Sequence, residues 1–205
     1  LRQTHWAESL DNLARVLKVL LVVSSGNNPA AYSTSPDEAE VILQSYPAMI
    51  FEPAACLSDP GTAALAITAG SLVEHDVPAV RHGADRNDIV RPVAQRNQPS
   101  PFTRTGPGVA DGIKPEFVDY GGNLVFSGLQ NLRRIQNDNG TSVMSFSREP
   151  LQRLFAYDVG SSFSSPRIAR VAAMVWHRLR VQLGDDPDPN LVRAVLATAA
   201  TVPEE

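Results

Sequence analysis

The stretch GSSFSSPRIARVAAMVW, from Gly160 to Trp176, places a serine where a helix is expected to begin. A Gly-Ser-Ser turn runs into small and apolar residues at helical spacing, so Ser162 is predicted to lie near a helix start. The free backbone N–H groups and the positive end of the helix dipole would stabilise an oxyanion there, which suits a nucleophile. The alternative interpretation is that these serines only cap the helix.

A second candidate is Asn27, in VVSSGNN (22–28). An apolar strand that runs into a turn of small residues presents this carboxamide at the end of the strand. An N–H group of the carboxamide can donate a hydrogen bond to the charged oxygen of a tetrahedral intermediate. The other interpretation is an ordinary turn asparagine in the left-handed region. These residues alone leave both interpretations open.

Pro166 makes the serine segment more specific, because it follows Ser162 by four residues and is expected in the first turn of a long helix of small residues. GSSFSSPRIA resembles the serine motif of the subtilisin-like protease family, G-T-S-x-[AS]-x-P-x-[VI]-A. Ser161 replaces the usual threonine, and Arg170 stands where the family has glycine. The matching positions are Gly160, Ser162, Ser164, Pro166, Ile168 and Ala169.

Three further segments resemble the same family and occur in the family's order. VVSSGNN is similar to its strand–[AS]-[AS]-G-N motif, and AALAITAGSL (63–72) to a strand that reads V-I-T-V-G-A. Residues 99–122 resemble F-S-x-x-G-P…K-P-[DE], a segment with a mainly structural role. Its matching residues are Phe102, Gly106, Pro107, Lys114, Pro115, Glu116 and Gly121. The resemblance covers most of the chain and implies a three-layer α/β fold.

The resemblance implies a serine endopeptidase that acts on polypeptide substrates. Ser162 would be the nucleophile, and Asn27 would donate to the oxyanion. By the same resemblance, Ser24, Ser25 and Gly26 would form one wall of the primary substrate pocket.

The catalytic aspartate and histidine of the family are missing from their expected place. In the family they precede the asparagine, yet only 26 residues precede Asn27 here. Neither His5 nor Asp11 lies in the family's motif, and His82 comes after Asn27. His5, His75, His82 and His177 are therefore all expected to be structural or surface residues.

Residues 1–205 are accordingly predicted to form the C-terminal part of one subtilisin-like peptidase domain. An upstream segment or a companion chain would supply the aspartate and the histidine. The alternative hypothesis is a non-catalytic subtilisin-like module that binds protein. The missing pair and Arg170 motivate it.

Strands that are apolar on both faces, alternating with helices, predict a mainly parallel sheet flanked by helices. An amphipathic stripe of Trp6, Leu10, Leu13 and Leu17 predicts the first helix. The expected helices are 5–16, 36–45, one from the serine motif to Gly184 and one from Asp188–Pro189. The expected strands are 19–23, 64–69 closed by Gly70, 113–118 and 142–146, with a turn at 138–140.

Composition limits the number of domains, the partners and the metal or disulfide sites that the chain can have. With 205 residues, 43% of them apolar, the chain fits one globular domain, and its net charge of −4 disfavours nucleic acid and anionic membrane as partners. Cys56 is the only cysteine, so no internal disulfide can form, and no Cys/His spacing indicates a metal site. The family resemblance allows calcium without identifying ligands. The lone cysteine and the lack of a signal favour the cytoplasm, and secretion stays open if a signal precedes Leu1.

Overall fold

The computed structural model describes residues 3–28, 36–81, 88–128 and 134–203. Short 3₁₀ helices lie at Ala48–Phe51, Pro53–Ala55 and Val109–Asp111. The helices and strands, in chain order, are α1 (His5–Leu17), β1 (Val22–Ser24), α2 (Pro36–Ser45), β2 (Ile67–Leu72), β3 (Ile89–Pro92), β4 (Phe117–Tyr120), β5 (Leu124–Gly128), β6 (Arg134–Asn137), β7 (Val143–Phe146), β8 (Phe155–Asp158), α3 (Ser161–Leu183) and α4 (Pro189–Ala199).

A parallel sheet with the strand order β1-β2-β4 organises the fold. Val22 lies opposite Ile67, and Ala69 lies opposite Phe117. Two smaller antiparallel sheets accompany it, one with the order β3-β5-β6 and one a hairpin of β7 and β8. The predicted α/β architecture with a parallel sheet is confirmed.

Helices cover both faces of the parallel sheet because successive strand residues point to opposite sides. Leu20 and Val22 pack on one side, in a core that includes Ile168 and Ala172 of α3. Leu21 and Val23 pack on the other side, against a cluster that contains Ala7 of α1. Residues 20–23 therefore pack on both faces of the sheet, as the sequence predicted, although the paired strand is Val22–Ser24 and not 19–23.

Gly70 was expected to end the second strand, and this expectation was wrong. β2 runs through Gly70 to Leu72, and Gly70 pairs with Val118 of β4. A Cβ atom on Gly70 would lie 2.6 Å from Cγ of Pro115. The glycine therefore permits the Pro115 ring to pack against the strand, and it does not break the strand.

The strand predicted at 113–118 forms only at its C-terminal end, as β4. Lys114 and Glu116 precede β4 in a loop and use their side chains on the neighbouring backbone. Lys114 Nζ donates to the Ala66 carbonyl at 2.8 Å, and Glu116 Oε2 accepts from the Thr68 N–H at 2.8 Å. Burial lowers the pKa of Lys114, and its hydrogen bond to Glu116 opposes that shift. The segment thus fixes the amino end of β2, which agrees with its expected structural role.

The predicted helices are present, with two differences in detail. α3 begins at Ser161, so Pro166 lies in its second turn and not in its first. α1 ends at Leu17, one residue beyond the predicted helix 5–16, and the buried residues on it are Ala7 and Ala14. Three members of its apolar stripe, Trp6, Leu13 and Leu17, are 59%, 46% and 58% exposed.

Tyr46, just after α2, joins this helix to the segment that leads to Phe102. Its hydroxyl donates a hydrogen bond to the Pro99 carbonyl, and its ring packs against the core around Phe102 and Phe126. Burial raises the pKa of Tyr46 above its usual range. The group is therefore neutral in the folded protein at pH values where a free tyrosine ionises.

We expect Tyr46→Phe to lower the free energy of unfolding at pH 7 by about 1 kcal/mol, because a buried hydrogen bond is lost. Because its folded-state pKa is raised, Tyr46 contributes stability that is complete below about pH 10 and is lost as the pH rises further. The difference between wild type and variant should therefore shrink between pH 7 and pH 11 in urea unfolding. Tyr157→Phe, at an exposed site, is the control. A constant difference for Tyr46→Phe would contradict the prediction.

Candidate active site

The end of β1 and the start of α3 meet at Asn27, as the two sequence motifs required. The Asn27 Oδ1 atom accepts two hydrogen bonds from Ser161, one from its backbone N–H at 3.0 Å and one from its hydroxyl at 3.0 Å. These contacts place the carboxamide oxygen towards the helix and leave its Nδ2 group without a partner in the described part of the chain. A partly exposed turn thus presents a fixed N–H donor.

Gly160 and Gly26 permit this arrangement through their backbone conformations. Gly160 has φ 156° and ψ 152°, a region that side chains disfavour, and a Cβ atom there would lie 2.9 Å from Nδ2 of Asn27. Gly26 has φ +90°, and a Cβ atom there would lie 2.1 Å from Oγ of Ser58. Each glycine therefore leaves space beside the carboxamide turn that any other residue would fill.

Ser162 is exposed in the first turn of α3. Its hydroxyl makes no hydrogen bond within the described residues. The first four backbone N–H groups of an α-helix have no acceptor within the helix, and the N–H of Ser162 is one of them. The serine therefore offers a free Oγ atom and a free N–H group one residue after Ser161, which bonds to Asn27.

Buried neighbours hold Ser162 in this exposed position. Ser161 and Ser164 are fully buried, and Ser164 Oγ donates to the Asp119 carbonyl at 2.9 Å. The Gly160 N–H donates to the Gly121 carbonyl at 2.9 Å. The turn before α3 is thus bonded to the end of β4, which fixes the direction in which Ser162 points.

Arg104, which was not among the predicted site residues, binds the backbone of the turn that contains Asn27. Its Nε atom donates to the Asn27 carbonyl at 3.2 Å, and its Nη1 atom donates to the Cys56 carbonyl at 2.5 Å and the Ala54 carbonyl at 3.2 Å. The stem of Arg104 passes Gly26, where a Cβ atom would lie 3.0 Å from its Cδ. The signal available in the sequence was its place inside the 99–122 motif.

A chain of buried hydroxyl groups lies beneath these turns. Ser25 Oγ lies 3.4 Å from Thr103 Oγ1, which accepts from the Ser71 N–H at 3.0 Å. Ser71 Oγ lies 2.7 Å from Ser100 Oγ, and Ser100 donates to the Gly122 carbonyl at 2.6 Å. The chain therefore ties the turn after β1 to the ends of β2 and β4 without any charged group.

The three residues proposed for the substrate pocket differ in their exposure. Ser24 and Gly26 are partly exposed beside Asn27, whereas the Ser25 side chain is fully buried in the hydroxyl chain. The side chain of Ser25 is therefore engaged inside the protein, and the surface of this turn belongs to Ser24 and Gly26.

The three described histidines, His5, His75 and His177, are exposed, and none of them makes a hydrogen bond to Ser162. His82 falls outside the described residues. Arg170 is exposed on α3, which continues unbroken past it, so this departure from the motif does not disturb the helix.

The described residues contain neither a cluster of metal ligands nor a helix that could span a membrane. They contain no group of three or more His, Cys, Asp or Glu residues placed to hold a metal ion. Their helices also lack the combination of length and apolar character needed to cross a bilayer.

Two solved proteases share the fold of this chain. A lanthipeptide protease superimposes with a TM-score of 0.55 at 18% identity, covering 97% of this chain and 48% of that protein. The prenylagaramide maturation protease PagA superimposes with a TM-score of 0.50 at 16% identity, covering 98% of this chain and 47% of that protein. At these identities the likeness concerns the fold alone.

Sequence comparison gives a closer relation. Uncharacterized protein y4bN of Sinorhizobium fredii (strain NBRC 101917 / NGR234) is 36% identical over 202 residues, which are 98% of this chain and 44% of that protein. The chain thus spans less than half the length of this relative. The model of the subtilase family matches residues 2–204. Since that match covers nearly the whole sequence, the chain belongs to the subtilase family.

Proposed function

We propose that this chain supplies the nucleophile and the oxyanion donors of a serine endopeptidase. The observation that carries the proposal is the double hydrogen bond from Ser161 to Asn27 Oδ1. It orients the Asn27 carboxamide so that its Nδ2 group stays free to donate, and Ser162 follows Ser161 directly in the chain. Membership of the subtilase family supports a peptidase at the level of the reaction class.

In the proposed reaction, the Ser162 Oγ atom attacks the carbonyl carbon of a peptide bond. The carbonyl oxygen then becomes negative, and Nδ2 of Asn27 and the Ser162 N–H donate hydrogen bonds to it. The proton of Ser162 passes to a histidine that a carboxylate orients, and the protonated histidine later gives it to the leaving amine. Ser24 and Gly26 offer a surface beside Asn27 on which the substrate side chain would rest.

The histidine and the carboxylate would come from outside residues 1–205. Within the described residues, the Ser162 hydroxyl has no hydrogen-bond partner that could take its proton. The relative from Sinorhizobium fredii is more than twice as long as the matched region, which leaves ample chain for a second portion of the domain.

The same unpaired hydroxyl favours a second candidate function, a non-catalytic subtilisin-like module that binds protein. Such a module would keep the fold and lose the acid-base pair. The two functions differ in one chemical property, because only a peptidase activates Ser162 towards an electrophile. They also differ in sequence, because only a peptidase needs a D-[ST]-G motif followed by H-G-T in the accompanying polypeptide.

A fluorophosphonate tests whether Ser162 is activated. The protein to use is a chimera in which residues 1–205 replace the matching 202 residues of the Sinorhizobium fredii relative. We expect covalent labelling of the chimera at Ser162, located by peptide mass spectrometry, and no labelling of Ser162→Ala. Ser165→Ala, on the same helix, is the matched control and should label normally. A folded chimera that resists labelling would favour the non-catalytic module.

Replacing Asn27 tests the oxyanion donor. Asn27→Ala in the chimera should lower kcat for a peptide substrate by about 10²–10³-fold with little change in KM, a magnitude known from another enzyme of this family. Asn27→Asp keeps an acceptor for the two Ser161 hydrogen bonds but removes the donor, so it should lose at least as much. Asn27→Asp should unfold within a few degrees of wild type, whereas Asn27→Ala leaves the buried Ser161 donors without their acceptor and should lose about 1–3 kcal/mol of stability. An equal loss in KM, or full activity of either variant, would argue against this role.

The chain by itself should be a very poor hydrolase. Without the histidine, residues 1–205 are expected to turn over peptides more slowly than the active chimera by on the order of 10⁴–10⁶-fold. The measurement is hydrolysis of a fluorogenic peptide at equal protein concentration. Comparable rates would show that a proton acceptor lies within this chain, and His82 would be the first residue to replace.

A further inference from the structure

Arg104 binds three backbone carbonyls and still has donors that are not used. A guanidinium group has five N–H donors, one on Nε and two on each Nη atom. The Nε donor goes to the Asn27 carbonyl, and Nη1 donates to the carbonyls of Ala54 and Cys56. Within the described residues, Nη2 has no acceptor. Two nitrogens therefore hold the guanidinium group in place, and the third is free to bind another group.

The positive charge of Arg104 also lacks a carboxylate partner in the described part of the chain. Arg193, which is partly buried like Arg104, lies 3.4 Å from a carboxylate oxygen of Glu116. Arg104 makes no ion pair of this kind with any described residue. Residues 29–35, PAAYSTS, lie outside the described part, and their sequence contains no aspartate or glutamate. Carbonyl dipoles leave the charge of an arginine in place, so the group remains a cation without a counter-ion.

The side chain of Arg104 lies directly against the turn beside Asn27. A Cβ atom on Gly26 would lie 3.0 Å from Arg104 Cδ and 2.1 Å from Ser58 Oγ. Both side chains therefore contact the same side of Gly26. The Ser58 hydroxyl is partly exposed and makes no hydrogen bond within the described residues. Under the proposed function, this turn is the surface on which the substrate side chain rests.

The backbone around Arg104 directs its side chain away from the protein interior. β-Bridges at Thr103 and Thr105 mark this segment as extended. The Thr103 hydroxyl belongs to the buried hydroxyl chain beneath the turn. Because successive residues of an extended segment point to opposite sides, the Arg104 side chain points away from that chain. Its partial exposure agrees with this direction.

We propose that Arg104 makes the primary substrate pocket selective for an acidic side chain, so that cleavage follows glutamate or aspartate. The Nη2 group would donate to a carboxylate oxygen of that side chain, and the free Ser58 hydroxyl would donate to it as well. Hydrogen bonds between ionised groups are roughly twice as strong as those between neutral groups. This inference rests on the proposed function, because only a peptidase has a scissile bond to select.

Fluorogenic peptides that differ only in the residue before the scissile bond test this selectivity. In the chimera, kcat/KM should be roughly 10–100-fold higher for glutamate than for glutamine, the range expected for a hydrogen bond to a charged group. Arg104→Gln should make the two values equal. Arg91→Gln is the matched control, because it removes a guanidinium group that pairs with Glu40 instead. This control should keep the preference for glutamate.

Ser58→Asp tests the charge while the three carbonyl bonds of Arg104 stay in place. The introduced carboxylate would pair with Arg104 beside Gly26, so the preference for glutamate should be lost. Ser58→Asn has nearly the same size as Ser58→Asp and adds no charge. It is the matched control and should keep the preference.

The ratio of the two rates distinguishes selectivity from a purely positioning role. If Arg104 only held the Asn27 turn, Arg104→Gln would lower the rates for both peptides by the same factor and leave their ratio unchanged. That result would overturn the proposal. Equal rates for the glutamate and glutamine peptides in the unaltered chimera would overturn it as well.

A binding measurement separates this inference from the proposed function. The Ser162→Ala chimera, which cannot cleave the peptides, should bind the glutamate peptide roughly 10–100-fold more tightly than the glutamine peptide in fluorescence anisotropy. Arg104→Gln should remove the difference. Should the chimera not fold, residues 1–205 give the same comparison, because Gly26, Ser58 and Arg104 all belong to this chain.

The two readouts can fail independently. A binding preference for glutamate without fluorophosphonate labelling would refute the peptidase and leave a site for acidic peptides. Labelling of Ser162 together with equal binding of the two peptides would refute the selectivity alone.

Discussion

The carboxamide of Asn27 is the interaction on which the candidate site depends. Its oxygen accepts both hydrogen bonds that Ser161 can donate, across a separation of 134 residues in the chain. An amide group has one acceptor end and one donor end, so fixing the oxygen also fixes the direction of the N–H groups. A single buried serine thus sets the orientation of the Asn27 carboxamide and the position of the helix start that carries Ser162.

Hydroxyl and backbone groups, rather than ion pairs, support this contact. The chain from Ser25 through Thr103, Ser71 and Ser100 to Gly122 is buried and uncharged. Hydroxyl groups donate and accept, so they satisfy the turns after three strands without the cost of burying a charge. Charged groups act at the rim, where Arg104 holds the Asn27 carbonyl. The candidate site therefore has no buried charge beneath it among these groups.

The same residues that make the fold recognisable also show where it is open. A strand that is apolar on both faces is typical of a parallel sheet covered by helices on both sides, and β1 has one neighbour in the described chain. The exposed face of α1 and a groove that Val22 of β1 and Trp176 of α3 line flank this strand on opposite sides of the sheet.

The sequence by itself determined the family, the α/β alternation and the two segments that carry Ser162 and Asn27, because these depend on local motifs and on periodicity along the chain. It located α1, α2 and α4 closely, since caps and helical spacing are local signals.

Other features were decided only by tertiary structure. Gly70 looked like a strand end until the Pro115 ring was seen to occupy its side-chain space. The α1 stripe predicted a buried face, yet which part of an apolar face is covered depends on its neighbours. The bond between Ser161 and Asn27, the support from Arg104 and the burial of Ser25 likewise join residues far apart in the chain, and no local pattern encodes such contacts.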